Sequence, residues 1–131
     1  LQDRYPNTKI SVYPDAAGQG RSTKNASTSD LALLQQAGFN VVVNGQNPRI
    51  RDRVLAMNNM LLNNKGERRY KVNANKCKVY ADNLEQQVWS ESGEPDKSAG
   101  KDHTNDAGGY FIWQLFPVER PASNVKLNFA R

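Results

Sequence analysis

The order of elements in the sequence predicts an α/β fold, and three observations carry that reading. The chain alternates as strand–helix–strand–helix–strand–helix–helix, an order that lays helices across a sheet through right-handed crossovers. Phe39 to Val43 is a nearly continuous apolar run, the pattern of a buried parallel strand. Ile50, Val54, Met57 and Leu61 recur at spacings of four, three and four, which turns one face of a helix toward a core.

Taken in order, residues 9–14 read as a strand that stops at Pro14. Gly18 to Thr28 is a polar stretch of Gly, Ser, Thr and Asn, and it reads as a loop. Ser29 can cap a helix through Ala37, with Leu31, Leu33 and Leu34 as its apolar side and Gly38 as its stop. The Phe39–Val43 strand follows. Asn47-Pro48 then reads as a helix start, with Asn as the cap and Pro at the first helical position. Arg49, Arg51 and Arg53 are expected on the outer side of that helix. Gly66 marks a turn, residues 69–72 a short strand, and residues 76–89 a second amphipathic helix. Ser90 to Lys101 is a polar loop leading to a helix that opens with Asp102, His103 and Asp106. Tyr110, Trp113, Leu115 and Phe116 are expected to anchor this last helix in the core. The whole reads as one domain over residues 1–131, with residues 118–131 as an extended C-terminal tail.

At 131 residues the chain is near the common domain size. Such a length can bury roughly two-thirds of its unfolded surface. The mean hydropathy of −0.79 predicts a compact core under polar loops. Eighteen Lys and Arg against 13 Asp and Glu give a net charge of +5, which suits a polyanionic partner. The single cysteine, Cys77, excludes an internal disulfide. It shares a helical face with Tyr80, Leu84 and Val88 and reads as a buried structural thiol. No apolar run approaches the ~18–20 residues that span a bilayer, and no signal peptide is visible. The expectation is therefore a soluble, intracellular protein that does not engage a membrane. A first residue of Leu rather than Met suggests a piece of a longer polypeptide. No strand–GxxxxGK[ST]–helix pattern occurs, so ATPase chemistry is not expected in this chain.

The candidate chemistry lies in two acidic places. Asp15 ends the first strand in Ile10-Ser-Val-Tyr-Pro-Asp15-Ala-Ala-Gly, where it can cap a turn or hold a metal. Asp106 lies within the first turns of the last helix, where it can serve the helix dipole or act as a second ligand. His103, three residues earlier, shares a face with Asp106 and is either a partly exposed helix-start residue or a ligand or proton shuttle. Asp102 reads as the helix cap. Ala107, Gly108 and Gly109 are small, which permits close approach by a strand, a metal or a DNA backbone. Arg21, Lys24, Lys97 and Lys101 flank the two acidic places in sequence and are candidate phosphate contacts, or simply solvated loop charges.

These pieces, in this order and spacing, resemble the RNase H-like nuclease domain of tailed-phage terminase large subunits. The resemblance rests on Tyr13-Pro-Asp15-Ala-Ala, on Gln46-Asn-Pro-Arg-Ile-Arg-Asp-Arg-Val54, and on Asp102-His103-Thr-Asn-Asp106-Ala-Gly-Gly-Tyr110. It runs from about residue 9 to residue 117. It implies an RNase H-like mixed sheet flanked by helices. The leading strands, with the first metal-binding Asp, are expected upstream of Lys9 and absent from this chain. It further implies a metal-dependent endodeoxyribonuclease, with Asp15, Asp106 and His103 as catalytic residues. Asp15 and Asp106 would serve as ligands of Mg²⁺ or Mn²⁺ in a two-metal site. The implied substrate is concatemeric double-stranded DNA cut during packaging of a phage or prophage genome. The implied partners are the portal protein and the small terminase subunit, and the implied place is the cytoplasm of the bacterial host. Two other readings stay open: a non-catalytic module that grips DNA or docks onto the portal, and a resolvase- or transposase-type nuclease.

Overall fold

A computed structural model of the chain describes residues 1–19, 21, 22 and 25–118, and the side chains of all of these except 19, 21, 22 and 25–28. The order is β1 (Ser11–Val12), a 3₁₀ turn (Ala16–Gln19), β2 (Arg21–Ser22), β3 (Asn25–Ser29), α1 (Asp30–Gln36), β4 (Asn40–Val41), α2 (Ile50–Leu61), α3 (Lys78–Gln86) and α4 (Asp102–Leu115). Beyond Val118, the expected C-terminal tail lies outside the described residues.

The run read as a parallel strand does pair in parallel, and its partner is the strand before Pro14. Ser11 faces Asn40 and Val12 faces Val41, and the ladder is carried by Asn40 N–H to Ile10 O and Val42 N–H to Val12 O, both 2.9 Å. The pair is shorter than the apolar run suggested, and Phe39–Val43 is half-buried rather than enclosed. With one neighbour among the described residues, β4 has no second strand to seal its other edge. β2 and β3 pair antiparallel in a separate two-stranded sheet. This corrects two expectations: the Gly18–Thr28 stretch is not wholly a loop, and the described strands do not form one mixed sheet.

Helix α1 follows the sequence rules closely. Ser29 is its cap, with Oγ accepting from Ala32 N–H at 3.2 Å, and Gly38 leaves the helix at φ +86°, where an L side chain is disfavoured. Leu31 supplies the buried side, whereas Leu33 is exposed. Helix α2 departs from expectation at both ends of the argument. Arg49, not Asn47, is its cap, and Arg49 makes no side-chain capping bond. Its buried face is Arg53, Ala56, Met57 and Met60, so Arg53 belongs inside rather than on the outer side.

Residues 69–72 form no strand. Arg69 N–H and Tyr70 N–H both donate to Met60 O, at 2.9 and 2.8 Å, which folds the chain back onto the end of α2. Cys77 caps α3 and is exposed, so it is not a core thiol. Trp89 lies past the end of α3, bridged to Pro95 and half exposed, rather than packed within a helix.

The core gathers Ala56, Met57, Met60 and Ile112, flanked by Leu61, Tyr70, Leu84, Phe111 and Trp113. Helix α4 enters it through Gly109 and Ile112, while Leu115 and Phe116 are exposed and do not anchor it. Phe111 meets the Tyr13 ring edge-on at 5.4 Å, which ties α4 to the strand β1 side. The adjacent glycines explain how three helices come so close. A Cβ on Gly109 would sit 2.7 Å from Arg53 Cγ, and one on Gly108 would overlap the Tyr80 hydroxyl. Two helical glycines sacrifice about 1 kcal/mol each in propensity relative to Ala, and the helix packing they permit offsets this.

Gly109→Ala should therefore destabilise the protein by about 1–3 kcal/mol through overpacking, against the sign of helix propensity. Urea denaturation measures this, and a raised midpoint would contradict the close approach of α2 and α4.

Candidate active site

Beyond β1 the chain runs through Tyr13 and Pro14 to Asp15, and beyond β4 it runs to Asn47. Both residues therefore lie outside the carboxyl ends of the parallel strands, where open α/β sheets hold their ligands. There they meet. Asn47 Nδ2 donates to Asp15 Oδ1 at 2.6 Å, and Asn47 Oδ1 accepts from Ala16 N–H at 2.8 Å. Ala17 N–H also donates to Asp15 Oδ1, at 2.7 Å, and the Tyr110 hydroxyl donates to Oδ2 at 3.0 Å. Asp15 thus closes its own turn and also belongs to a cluster of side chains from distant parts of the chain. The Asn47 bond, the Ala17 N–H, the Tyr110 hydroxyl and the Arg53 charge hold its carboxyl below the usual range against a small opposing effect of burial.

The second half of the cluster is built on α2 and α4. Arg53 Nη2 donates to Asp106 Oδ1 at 2.6 Å, with Arg53 5% and Asp106 31% exposed at their side chains. The same guanidinium lies over the Tyr110 ring, 4.5 Å from its centroid. Asp106 and Tyr110 are one helical turn apart on α4 and share a face. The result is a continuous unit: Asp106, Arg53, Tyr110, Asp15, Asn47. Burial pushes the Tyr110 hydroxyl up and Arg53 opposes this, while its bond to Asp15 and the charges of Asp15 and Asp106 raise it further. Tyr110 stays a donor across the ordinary pH range.

Other expected residues are placed differently. His103 is 84% exposed, with Nδ1 4.0 Å from Asp102 Oδ2, and it makes no hydrogen bond to Asp106. Its side chain points to solvent because the inward face of α4 is set by Asp102, Gly109 and Ile112. Asp102 is not the cap, which is Lys101; it is the first helical residue, 6% exposed, and its Oδ1 has no hydrogen-bond partner. Lys97 is exposed, and Lys101 Nζ donates to Gln86 Oε1 at 2.6 Å. The side chain of Arg21 and the whole of Lys24 lie outside the described residues. The space that Gly108 and Gly109 leave is taken by Tyr80 and Arg53, not by a strand or a nucleic acid. A cleft lined by Arg53, Asp106, Met57, Leu84 and Trp89 opens beside the Asp106 end of the unit.

Sequence reasoning missed Arg53, Asn47 and the polar role of Tyr110. A signal for Arg53 existed: it falls three residues after Ile50 and four before Met57, on the apolar stripe itself. A cation in that position needs a partner, and α4 offers Asp106 beside two glycines.

The family model of the terminase RNaseH-like domain matches residues 5–115. The chain belongs to that family. No curated protein and no solved structure matches the chain. This terminase domain is of the RNase H-like, nuclease-type class, as the sequence resemblance implied, and DNA is the general substrate of such domains. No helix of its described residues is long and apolar enough to cross a membrane.

Two outcomes test the cluster. Arg53→Met should lower stability by about 3 kcal/mol in urea denaturation, short of a sealed pair because Asp106 keeps contact with water. Arg53→Lys should recover little of it, since an ammonium cannot fork to Asp106 and stack on Tyr110. Asn47→Ala should raise the Asp15 pKa in a carboxyl NMR titration. A depressed carboxyl pKa stabilises above its unfolded value of ~3.9 and loses that contribution as pH falls through the folded value. The variant should accordingly lose less stability than wild type below about pH 4.

Proposed function

We propose that this terminase domain is a metal-dependent endonuclease of a phage or prophage packaging machine, cutting concatemeric double-stranded DNA. The observation that carries this reading is the convergence of Asp15 and Asp106 on one Arg53–Tyr110 pair outside the carboxyl ends of β1 and β4. The donors fit a hard divalent ion in kind. They are oxygens, Asp15 is held ionised, and Asp106 Oδ2 accepts no hydrogen bond among the described residues. Among those residues no group of three or more His, Cys, Asp or Glu side chains gathers. Mg²⁺ commonly takes one or two carboxylates and completes its shell with water and substrate phosphate.

Asp15 and Asp106 would hold Mg²⁺ or Mn²⁺, in a two-metal site where a further carboxylate joins them. When bound, such ions stabilise charge on the attacking and leaving oxygens of a phosphodiester. The chain's own residues do the positioning. Asn47 and Ala17 N–H fix Asp15 Oδ1, Tyr110 orients Oδ2, and Arg53 aims Asp106 while reducing repulsion between the two carboxylates. His103, on the first turn of α4, points to solvent outside this set. We place the further carboxylate on a strand preceding Lys9, with the ATPase motor N-terminal to it. The portal and small subunit are the partners, in the host cytoplasm.

One observation favours a second reading. Arg53 already answers one oxygen of Asp106, as a resident cation would in a non-catalytic module that only grips DNA. Nicking of plasmid DNA with Mn²⁺ separates the two, using the chain extended through the preceding strand. Cleavage should appear, and should vanish with EDTA, with Asp15→Ala and with Asp106→Asn. Folded protein that binds DNA and never cuts it would establish the binding module instead.

A further inference from the structure

The basic charge of this protein is concentrated away from its carboxylates. From the end of α2 to the first residue of α3, Lys65, Arg68, Arg69, Lys71, Lys76 and Lys78 stand against a single acid, Glu67, an excess of five that equals the chain's whole net charge of +5. All six are exposed. None takes part in an ion pair among the described residues. Glu67, the one acid among them, makes no ion pair with them, and its Oε2 accepts from Asn63 Nδ2 at 2.7 Å.

The segment is also held in shape. Asn63 Oδ1 accepts from Lys65 N–H at 3.0 Å and Glu67 N–H at 2.9 Å, around Gly66 at φ +78°. Asn73 O accepts from Lys76 N–H and Cys77 N–H, at 3.0 and 2.8 Å. Between these turns the chain is pinned by Arg69 N–H and Tyr70 N–H to Met60 O, and the Arg69 guanidinium lies 5.4 Å from the centre of the Phe116 ring. A fixed, unneutralised row of cations loses little order on binding a polyanion.

We propose that the connection from Lys65 to Lys78 is the surface on which this domain grips the phosphate backbone of duplex DNA. The proposal rests on DNA being the substrate. Protein interfaces are depleted in Lys and centre on apolar anchors, whereas Tyr70 and Val72, the large apolar side chains here, are turned partly inward. Phosphate contacts need only such exposed cations and carry no base code. The span also fits. Arg53 and Leu61 are eight residues apart on α2, about 12 Å along its axis. Phosphates of one strand advance ~3.4 Å along the duplex axis, so the grip would lie a few nucleotides from the carboxylates. Lys97 and Lys101, the loop lysines closer to Asp106 in sequence, would then be secondary.

Fluorescence anisotropy tests this with two 20-base-pair duplexes of unrelated sequence over a range of salt. The triple variant Lys65→Gln, Arg68→Gln, Lys71→Gln should bind both duplexes about 10- to 100-fold more weakly near 0.15 M salt. The slope of log affinity against log salt should fall by about 2–3. Exchanging Lys65 and Lys71 for Arg should keep wild-type affinity and slope. Circular dichroism checks that the variants remain folded. An unchanged slope in the triple variant, while wild type binds DNA, would overturn this surface and leave the DNA reading standing. Wild type that ignores both duplexes but binds poly-glutamate through these residues would overturn both.

Discussion

A guanidinium buried between two helices is the constraint on which the rest of this domain depends. Arg53 is 4% exposed, and a charge so placed is tolerated only when paired and hydrogen-bonded. Asp106 supplies the pair and the Tyr110 ring supplies a face for the planar cation. The arginine stem needs room, and Gly109 provides it where a Cβ would collide with Cγ. Each requirement fixes a position on α4: 106 for charge, 109 for space, 110 for stacking. The helix therefore has one rotation and one height against α2. Asp106 and the Tyr110 hydroxyl inherit that placement, and with it Asp15.

Such an arrangement binds the chemistry of the site to the packing of the core. Residues 109 and 112 of α4 face inward, while Asp106 meets Arg53 and Tyr110 reaches Asp15 beyond β1. Movement of α4 that served the core but not the site would separate Tyr110 from Asp15. Movement that served the site alone would strip Arg53 of its partner. The glycines, unfavourable by helix propensity, are favourable here because a bulky buried cation sits opposite them.

Much of this order could be read from the sequence, and the failures share a cause. The presence of strands before Pro14 and within Phe39–Val43, and the parallel character of the second, followed from local sequence; which strand it pairs with did not. The Ser29 cap and the Gly38 stop followed from local backbone chemistry. What failed was assignment by residue class. Arginine usually lies outside, but the spacing of Arg53 from Ile50 and Met57 sets it on the stripe, and there it is buried. Asn47-Pro48 has the composition of a helix cap, yet Asn47 does not cap α2, because its Oδ1 accepts from Ala16 N–H and its Nδ2 donates to Asp15. His103 and Asp106 share a face in projection, but α4 is rotated by Gly109 and Ile112 so that His103 meets water. Long-range partners decide such cases, and periodicity does not contain them.

The same pairing explains why positive charge is divided into two kinds in this molecule. Arg53 is enclosed and committed, so it shapes carboxylates and is unavailable to a ligand. The cations between α2 and α3 are exposed, and all but Arg69, which lies against the Phe116 ring, make no ion pair or ring contact among the described residues, so they remain open to a polyanion. A site that must accept a phosphodiester beside two carboxylates faces repulsion between like charges. On the proposed reading, an internal cation would moderate it at the carboxylates, and an external row would attract the rest of the strand from a distance. Because screened attraction falls off over about 8–10 Å at ordinary salt, neither set can substitute for the other.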